Sequence, residues 1–234
     1  MCIEYNRGGI MKEKKIVQWL PGIAAEIVAV IFCIIYAVID GSKFTMYIEL
    51  PGAAMLAFLV PVYNVIAKKS LPTAISVACA IFVTLACCLG TAMDFYHKIW
   101  FYDLLMHGVS GFLCCAIIFM FIMDWNGSKL SPIGCMVMIF GFSMGVAALW
   151  EIIEFVSDIM TGGDSQRVLE SMAAGKSPIS DTMEDIIVAM AGSVVFFIAF
   201  FADKLSGYKV FGKLCGFTGF KKNNVCNVQV PQLK

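Results

Sequence analysis

The chain has 234 residues, of which 60% are hydrophobic and 15% are charged, and its mean hydropathy is +0.84. A soluble domain of this length is far less apolar, so the composition excludes a water-soluble globular protein and indicates an integral membrane protein. The formal net charge is zero, which gives no basis for binding to nucleic acid. Glycine and proline are spread along the chain without a repeat, so we expect one membrane domain.

Six apolar segments follow a polar, basic start, and each is close to the ~20 residues that a helix needs to cross a bilayer. They span residues 16–39, 49–67, 71–93, 104–123, 133–156 and 183–202. The sequence therefore predicts an all-α, polytopic membrane protein with about six transmembrane helices. The predicted parts are a cytoplasmic N-terminal tail over 1–15, a transmembrane domain over 16–202 and a basic cytoplasmic tail over 203–234 that meets anionic lipid.

The first residues contain an unusual stretch. Arg7-Gly8-Gly9 is what a purine-rich ribosome-binding sequence gives when it is translated, and Met11 follows at once. We therefore hypothesise that Met11, and not Met1, is the natural start, which the intact mass of the native protein tests.

Lysine and arginine are divided unequally between the two predicted sides of the membrane. The side with both tails and the loops near 68–70 and 124–132 carries thirteen of them, and the opposite side carries four. The four are Lys43, Lys98, Arg167 and Lys176. Because basic residues favour the cytoplasmic side, we expect both termini in the cytoplasm. The loops at 40–48, 94–103 and 157–182 then face outward.

Three pairs of polar residues lie at the ends of the last three predicted helices. Asp103 and His107 begin the fourth helix, Glu151 and Glu154 end the fifth, and Asp181 and Asp185 begin the sixth. Residues three or four apart share one face of a helix, so each pair points in one direction. Since consecutive membrane helices alternate in direction, all three pairs are predicted to lie at one depth on the outward side. Small residues beside them, Gly108 and Gly192, favour close approach of the helices.

The free-energy cost of charge in a membrane limits the ionisation states that these acids can adopt. An ionised carboxylate costs ~2.5–3.5 kcal/mol at the centre of a membrane helix, and five of them in one cavity cannot all be bare anions because like charges repel. Arg167 and Lys176, bound protons or a divalent cation could compensate. Carboxylates with one imidazole suit Mg, Mn, Fe or Zn, although the presence of only two histidines, His97 and His107, weighs against a site for zinc alone.

Each residue also has a structural interpretation. Acids in the first turn of a helix are ordinary capping and dipole partners, which we prefer for Asp181. The aromatic residues near the same ends are expected to be interfacial anchors: Tyr96, Trp100, Tyr102 and Trp150. Gly141 and Gly145 form a G-x-x-x-G pattern that favours helix packing. Glu26 is the deepest acid, and is either a further contributor or the partner of an unidentified polar group. The loop 157–182 is either a lid or a solvated linker.

The spaced motifs resemble a known family. They are the D-x-x-x-H of Asp103 and His107, the W-E-x-x-E that starts at Trp150, and the D-T-x-x-D that starts at Asp181. Together they resemble the YjdF-like bacterial predicted inner-membrane proteins, with a fainter likeness to VanZ-like proteins, over roughly the last four helices. The resemblance implies this topology and this site, and it carries over no activity.

Three functions remain open from the sequence. The first is a metal-dependent enzyme that acts on a lipid or lipid-linked substrate at the outer leaflet. The predicted metal ligands are Asp103, His107, Glu151, Glu154, Asp181 and Asp185, and the predicted catalytic residues are Glu151, Glu154 and His107. One acid that is not a ligand would act as general base on water. The second is a proton- or cation-coupled transporter, which should also depend on Glu26. The third is a structural or regulatory membrane subunit whose acids only pair helices.

Overall fold

The computed structural model describes residues 2–5, 16–39, 46–68, 71–125, 131–215 and 217–221. Its helices are α1 (Leu20–Ile39), α2 (Met46–Ala54), α3 (Leu59–Ile66), α4 (Thr73–Val83), α5 (Phe95–Lys98), α6 (Tyr102–Trp125), α7 (Pro132–Thr161), α8 (Val168–Ala173), α9 (Ser180–Leu205) and α10 (Lys209–Cys215). Two short strands, β1 (Cys2–Tyr5) and β2 (Phe217–Lys221), form one antiparallel pair. Apart from that pair the regular structure is helical, which confirms the predicted all-α class.

Within the described residues, five helical stretches are long and apolar enough to cross a membrane. They are Val17–Ile39, Thr73–Ala92, Tyr102–Met123, Pro132–Thr161 and Ser180–Leu205. Many of their large apolar side chains face outward, including Ile27, Val137 and Ile198. Such a surface is stable in lipid, whose tails are as apolar as the side chains, so the protein is a multi-pass membrane protein.

The second predicted segment differs from the expected single helix. Instead of one helix over 49–67, α2 and α3 are joined by a tighter 3₁₀ turn, Met55–Phe58, and the apolar part, Leu50–Ile66, is shorter than the other spans. Pro61 explains the break, because a proline cannot donate a hydrogen bond to the carbonyl four residues earlier and its ring crowds that carbonyl.

The helices α6 and α9 touch backbone to backbone. A Cβ atom added to Gly111 would overlap the carbonyl of Ala189, and one added to Gly192 would overlap the carbonyl of Gly108. The close approach predicted at Gly108 and Gly192 is therefore confirmed. Since α6 and α9 both begin at the same end of the bundle, their first turns are brought together there.

A buried group of serines joins α7 to this pair. The Ser143 hydroxyl donates to the carbonyl of Gly111 at 3.1 Å and lies 2.9 Å from the hydroxyl of Ser193. Both serines are almost completely buried. Hydrogen bonds between helices are favourable in an apolar surrounding, because the alternative is an unpaired hydroxyl. The group fixes three helices against one another just below the predicted site.

Gly141 and Gly145 do not make the predicted close contact. A Cβ atom at either position would meet no described atom within 4 Å, and both glycines are exposed on α7. Within the part of the chain that the structure describes, the packing expected from this G-x-x-x-G pattern is therefore wrong. The helix uses Ser143, on another face, for its contact with α6 and α9.

The two ends of the described chain meet at the other end of the bundle. The strands β1 and β2 pair there, with Cys2 opposite Lys221. Before β2, the Asp203 carboxylate accepts the backbone N–H groups of Val210 and Phe211, and this turns α10 back towards α9. The predicted tail 203–234 thus begins with ordered helix. The rest of both tails, including Met11, and the loop 40–45 with Lys43 lie outside the described residues.

The contact between α6 and α9 gives a direct test. Replacing Gly192 by alanine should lower stability by about 1–3 kcal/mol, because the added methyl group forces two backbones apart in a packed interface. The midpoint of thermal unfolding in detergent, measured by intrinsic fluorescence, should fall.

Gly141→Ala is the matched control, since it adds the same methyl group to an open face. It should leave the unfolding midpoint unchanged or raise it, because alanine favours helix over glycine by roughly 0.5–1 kcal/mol. Equal unfolding midpoints for the Gly192 and Gly141 variants would contradict the described contact.

Candidate functional site

Asp103, His107 and Asp185 meet where α6 and α9 begin. The Nε2 atom of His107 lies 3.5 Å from Oδ1 of Asp103, one turn earlier on α6, and 3.7 Å from Oδ2 of Asp185 on α9. His107 is 8% exposed and Asp185 is 1% exposed. One ligand atom from each residue lies within 4.8 Å of the others, a spacing at which a single metal ion could bind all three. We call these residues the D-H-D group.

Buried carboxylate oxygens around this group lack donors. Within the described residues, no hydrogen-bond donor reaches either oxygen of Asp185 or of Glu151, and Glu151 is 4% exposed. A buried polar group without a partner costs about 1–3 kcal/mol, and a charged one costs more. The geometry therefore favours a cation or a proton as the missing partner of these acids.

Glu154 has a hydrogen-bond donor, which Glu151 lacks among the described residues. Its Oε1 atom accepts a hydrogen bond of 2.8 Å from the indole N–H of Trp150, one turn earlier on α7. Trp150 is half exposed, as expected for an interfacial anchor, but it also orients this carboxylate. Glu151 and Glu154 thus differ in environment although the sequence places them on one face.

The segment 162–179 folds back over the end of the bundle. Helix α7 ends at Gly162, which has a positive φ of 68°. The Asp158 carboxylate then accepts the backbone N–H groups of Ser165 at 2.6 Å and Gln166 at 3.0 Å. The Gln166 side chain donates to the carbonyl of Glu151 at 3.3 Å and to the hydroxyl of Thr182 at 3.2 Å. The segment is therefore tied to both α7 and α9 and is not a free linker.

Arg167 brings a positive charge from this segment into the site. Its Nη2 atom donates to the carbonyl of Tyr96 at 2.6 Å and lies 3.4 Å from Oδ2 of Asp103. The side chain is only 14% exposed. Its backbone has a positive φ of 45°, a conformation that is uncommon for a residue with a side chain. The surrounding contacts hold this strained residue in place, which is typical of functional positions.

A pocket of about 280 Å³ lies beside the D-H-D group and shares Asp103 with it, whereas His107 and Asp185 are not among its lining residues. Its lining includes Tyr96, Trp100, Asp103, Arg167, Lys176 and Asp181. Lys176 pairs with Glu184 at 2.9 Å on the rim. Burial, and to a lesser degree the nearby Asp103, raises the pKa of the Tyr96 phenol, so this side chain stays neutral. Asp103 therefore connects the pocket with the D-H-D group.

The structure brings the six predicted site residues to one end of the bundle in three settings. Asp103, His107 and Asp185 form the D-H-D group, Glu151 and Glu154 lie on α7 with different partners, and Asp181 lines the pocket. Their roles as ligands and catalysts stay predictions. Gln166 was not predicted to lie near these residues. The only signal in the sequence is the turn-forming pair Gly162-Gly163 after Asp158, which favours a reversal of the chain.

Tyr102, which was predicted to be an interfacial anchor, is buried in the structure. Tyr102 is 7% exposed, and its hydroxyl donates to the carbonyl of Leu85 at 3.0 Å. The anchor interpretation is wrong for this residue, since a tyrosine whose hydroxyl finds a buried acceptor contributes to the core. Trp100, in contrast, is 82% exposed.

The chain was compared with known proteins. The model of a family described as "Predicted membrane protein (DUF2238)" matches residues 22–204, a range that includes α6, α7 and α9. No curated protein matches the chain, and no solved structure matches it. The family match agrees at a coarse level with the resemblance to YjdF-like membrane proteins.

The attachment of segment 162–179 is testable by hydrogen exchange. Asp158→Ala removes the acceptor of two backbone N–H groups, and a hydrogen bond to a charged acceptor is worth roughly 1.5–3 kcal/mol. The amides of Ser165 and Gln166 should therefore exchange at least about tenfold faster. Glu170→Ala, at a side chain that is 62% exposed, should leave these rates unchanged. Unchanged protection in the Asp158 variant would contradict this attachment.

Proposed function

This chain belongs to the family of predicted membrane proteins described as DUF2238, and we propose that it is a metal-dependent membrane enzyme acting on a lipid or lipid-linked substrate. The observation that carries the proposal is the D-H-D group, whose ligand atoms lie within 4.8 Å of one another beside a pocket. The unpartnered oxygens of Asp185, which is 1% exposed, are an independent indication that a cation belongs there.

The ligand set defines the class of ion. Two carboxylates and one imidazole suit Mg, Mn, Fe or Zn, and a site with only three protein ligands leaves positions open for water and substrate. Asp103 and Asp185 together carry two negative charges, which a divalent ion balances. His107, lying between the two acids, would bind through its Nε2 atom.

Glu151 is best placed to act as the general base. It is buried, and within the described residues neither of its oxygens accepts a hydrogen bond, so both can take a proton from water. In a hydrolysis the water oxygen would bond to the carbonyl carbon or the phosphorus of the substrate, and the bond from that atom to the leaving oxygen would break. Glu151 would take a proton from the water and pass it to the leaving oxygen. A bound ion would polarise the attacked group.

Glu154 and Asp181 are proposed as supporting residues. Glu154 accepts a hydrogen bond from the Trp150 indole through Oε1, which holds its carboxylate in place. Asp181 lines the pocket, and one of its oxygens is buried without a described donor. Both residues add negative charge near the D-H-D group, which strengthens cation binding.

We place the site on the outer side of a bacterial inner membrane, with both chain ends in the cytoplasm. The excess of lysine and arginine on the opposite side supports this orientation. So does the pairing of β1 with β2, which brings the two ends of the described chain together, because α9 runs away from the site before β2.

Elemental analysis of the purified protein in detergent tests the proposal. After incubation with Mg, Mn, Fe and Zn salts and removal of free ions, we expect about one divalent ion per chain. Asp185→Asn and His107→Gln should each lower the metal content at least about tenfold, because each removes one of three ligands and outer partners alone already change affinity by 10–100-fold.

The chain offers a matched control on its surface. Asp94 and His97 form the other acid-histidine pair, 2.7 Å apart, but their side chains are 53% and 66% exposed. Asp94→Asn should therefore keep the metal content of the wild type. Absence of bound metal in the wild type after incubation with all four ions would overturn the proposed function.

Cation-coupled transport is a second candidate because of Glu26. This acid lies on α1, which packs mainly against α2 and α4, and its Oε1 atom is buried without a described donor. Under the enzyme proposal, Glu26→Gln should leave both metal content and folding unchanged. A proton or Mg²⁺ flux into proteoliposomes that is abolished by both Glu26→Gln and Asp185→Asn would favour transport instead.

A further inference from the structure

We propose that the pocket beside the D-H-D group binds the phosphate of a lipid headgroup, with Arg167 and Lys176 as its cationic side. We call this cavity the headgroup pocket. The inference rests on the proposed function and deepens it, because it names the chemical class of the substrate.

Arg167 has donors available for an anion. Within the described residues the only hydrogen bond of its side chain goes to the Tyr96 carbonyl, while Asp103 and Glu170 lie at ion-pair distances of 3.4 Å and 3.8 Å. A guanidinium presents five N–H donors in a fixed plane that matches two oxygens of a phosphate. The bond to Tyr96 fixes this plane in the wall of the headgroup pocket.

Lys176 supplies the second charge from the rim. It pairs with Glu184 at 2.9 Å, with side chains that are 52% and 44% exposed. An ion pair this exposed is worth only about 0–1 kcal/mol, so a phosphate can replace Glu184 as the partner of Lys176 at little cost.

The acids of the pocket do not exclude a phosphate when an ion is bound. Asp103, Asp181, Glu170 and Glu184 all line the pocket and would repel an anion in the free protein. Glu170 and Glu184 are 62% and 44% exposed, so solvent screens their charge. With a divalent ion held by the D-H-D group, the charge of Asp103 would be shared, its hold on Arg167 would weaken, and the ion would attract a phosphate oxygen. The headgroup pocket therefore becomes favourable to phosphate together with the ion.

The size and surroundings of the pocket favour a lipid over a small soluble ester. A volume of about 280 Å³ is roughly that of nine water molecules, so it holds a headgroup but not acyl chains. Trp100, which lines the pocket and is 82% exposed, gives its edge an apolar surface. Tryptophan at such a position is typical of the membrane interface, where the acyl chains would leave the site.

The test uses the full-length protein in detergent, loaded with metal, and native mass spectrometry. Dioleoyl phosphatidic acid is the probe, and dioleoylglycerol is the same lipid without the phosphate. The wild type should bind phosphatidic acid at least tenfold more tightly than dioleoylglycerol. Arg167→Gln and Lys176→Gln should each reduce that preference several-fold, and Lys98→Gln, at a lysine outside the pocket, should not.

Three results would overturn the inference. One is equal binding of the two lipids by the wild type. The second is a Lys176→Gln variant, altered only at a half-exposed side chain, that binds phosphatidic acid like Lys98→Gln. The third is displacement of the lipid by glycerol 3-phosphate at equal concentration, which would make the phosphate source soluble. The unfolding midpoint of each variant separates a loss of binding from a loss of fold.

Metal content, measured on the same samples, separates this inference from the proposed function. A wild type that holds metal but shows no preference for phosphatidic acid defeats the headgroup assignment and leaves the metal site standing. A wild type that binds no metal defeats the enzyme proposal and, with it, the charge balance on which phosphate binding in the headgroup pocket depends.

Discussion

The direct contact of two helix backbones determines the geometry of this protein's site. Gly108 and Gly111 on α6 face Ala189 and Gly192 on α9 with no side chain between them. At this separation the first turns of both helices are close enough for the His107 imidazole to reach carboxylates on both, at 3.5 Å and 3.7 Å. A larger residue at the contact would move the two helices apart, and the ligand atoms of the D-H-D group would then no longer lie close enough to one another to bind a single ion.

The second constraint is the negative charge of the buried acids, which the basic residues of the protein balance only in part. Arg167 is the cation that the segment 162–179 carries inward, and it lies close to Asp103 while its own backbone is strained. Glu151 and Asp185 receive no donor from the described residues. Burying such acids without a hydrogen-bond donor lowers stability, and an ion or a proton at the proposed site would remove that cost.

The sequence predicted the parts of the fold that depend on hydropathy and helix periodicity. The presence of α6, α7 and α9 and the convergence of Asp103, His107 and Asp185 follow from apolar length and alternating direction. The helix ends were less well predicted, since α7 continues to Thr161, beyond the predicted end at 156. It did not predict side-chain partners: the Trp150 indole on Glu154 and the buried hydroxyl of Tyr102 depend on rotamers and neighbours that periodicity does not encode. The broken second segment was also missed, since mean hydropathy does not register Pro61.

The same helix contact sets the order in which the protein can be assembled. Among the described spans α9 is synthesised last, so α6 enters the bilayer while His107 lacks Asp185, and this lasts until Ser180–Leu205 has inserted. During that interval the nascent chain exposes polar groups and a bare glycine surface to lipid or to the insertion machinery. A chain that stalls before residue 180 keeps this exposure permanently, and so carries a mark by which membrane quality control can distinguish it from the finished protein.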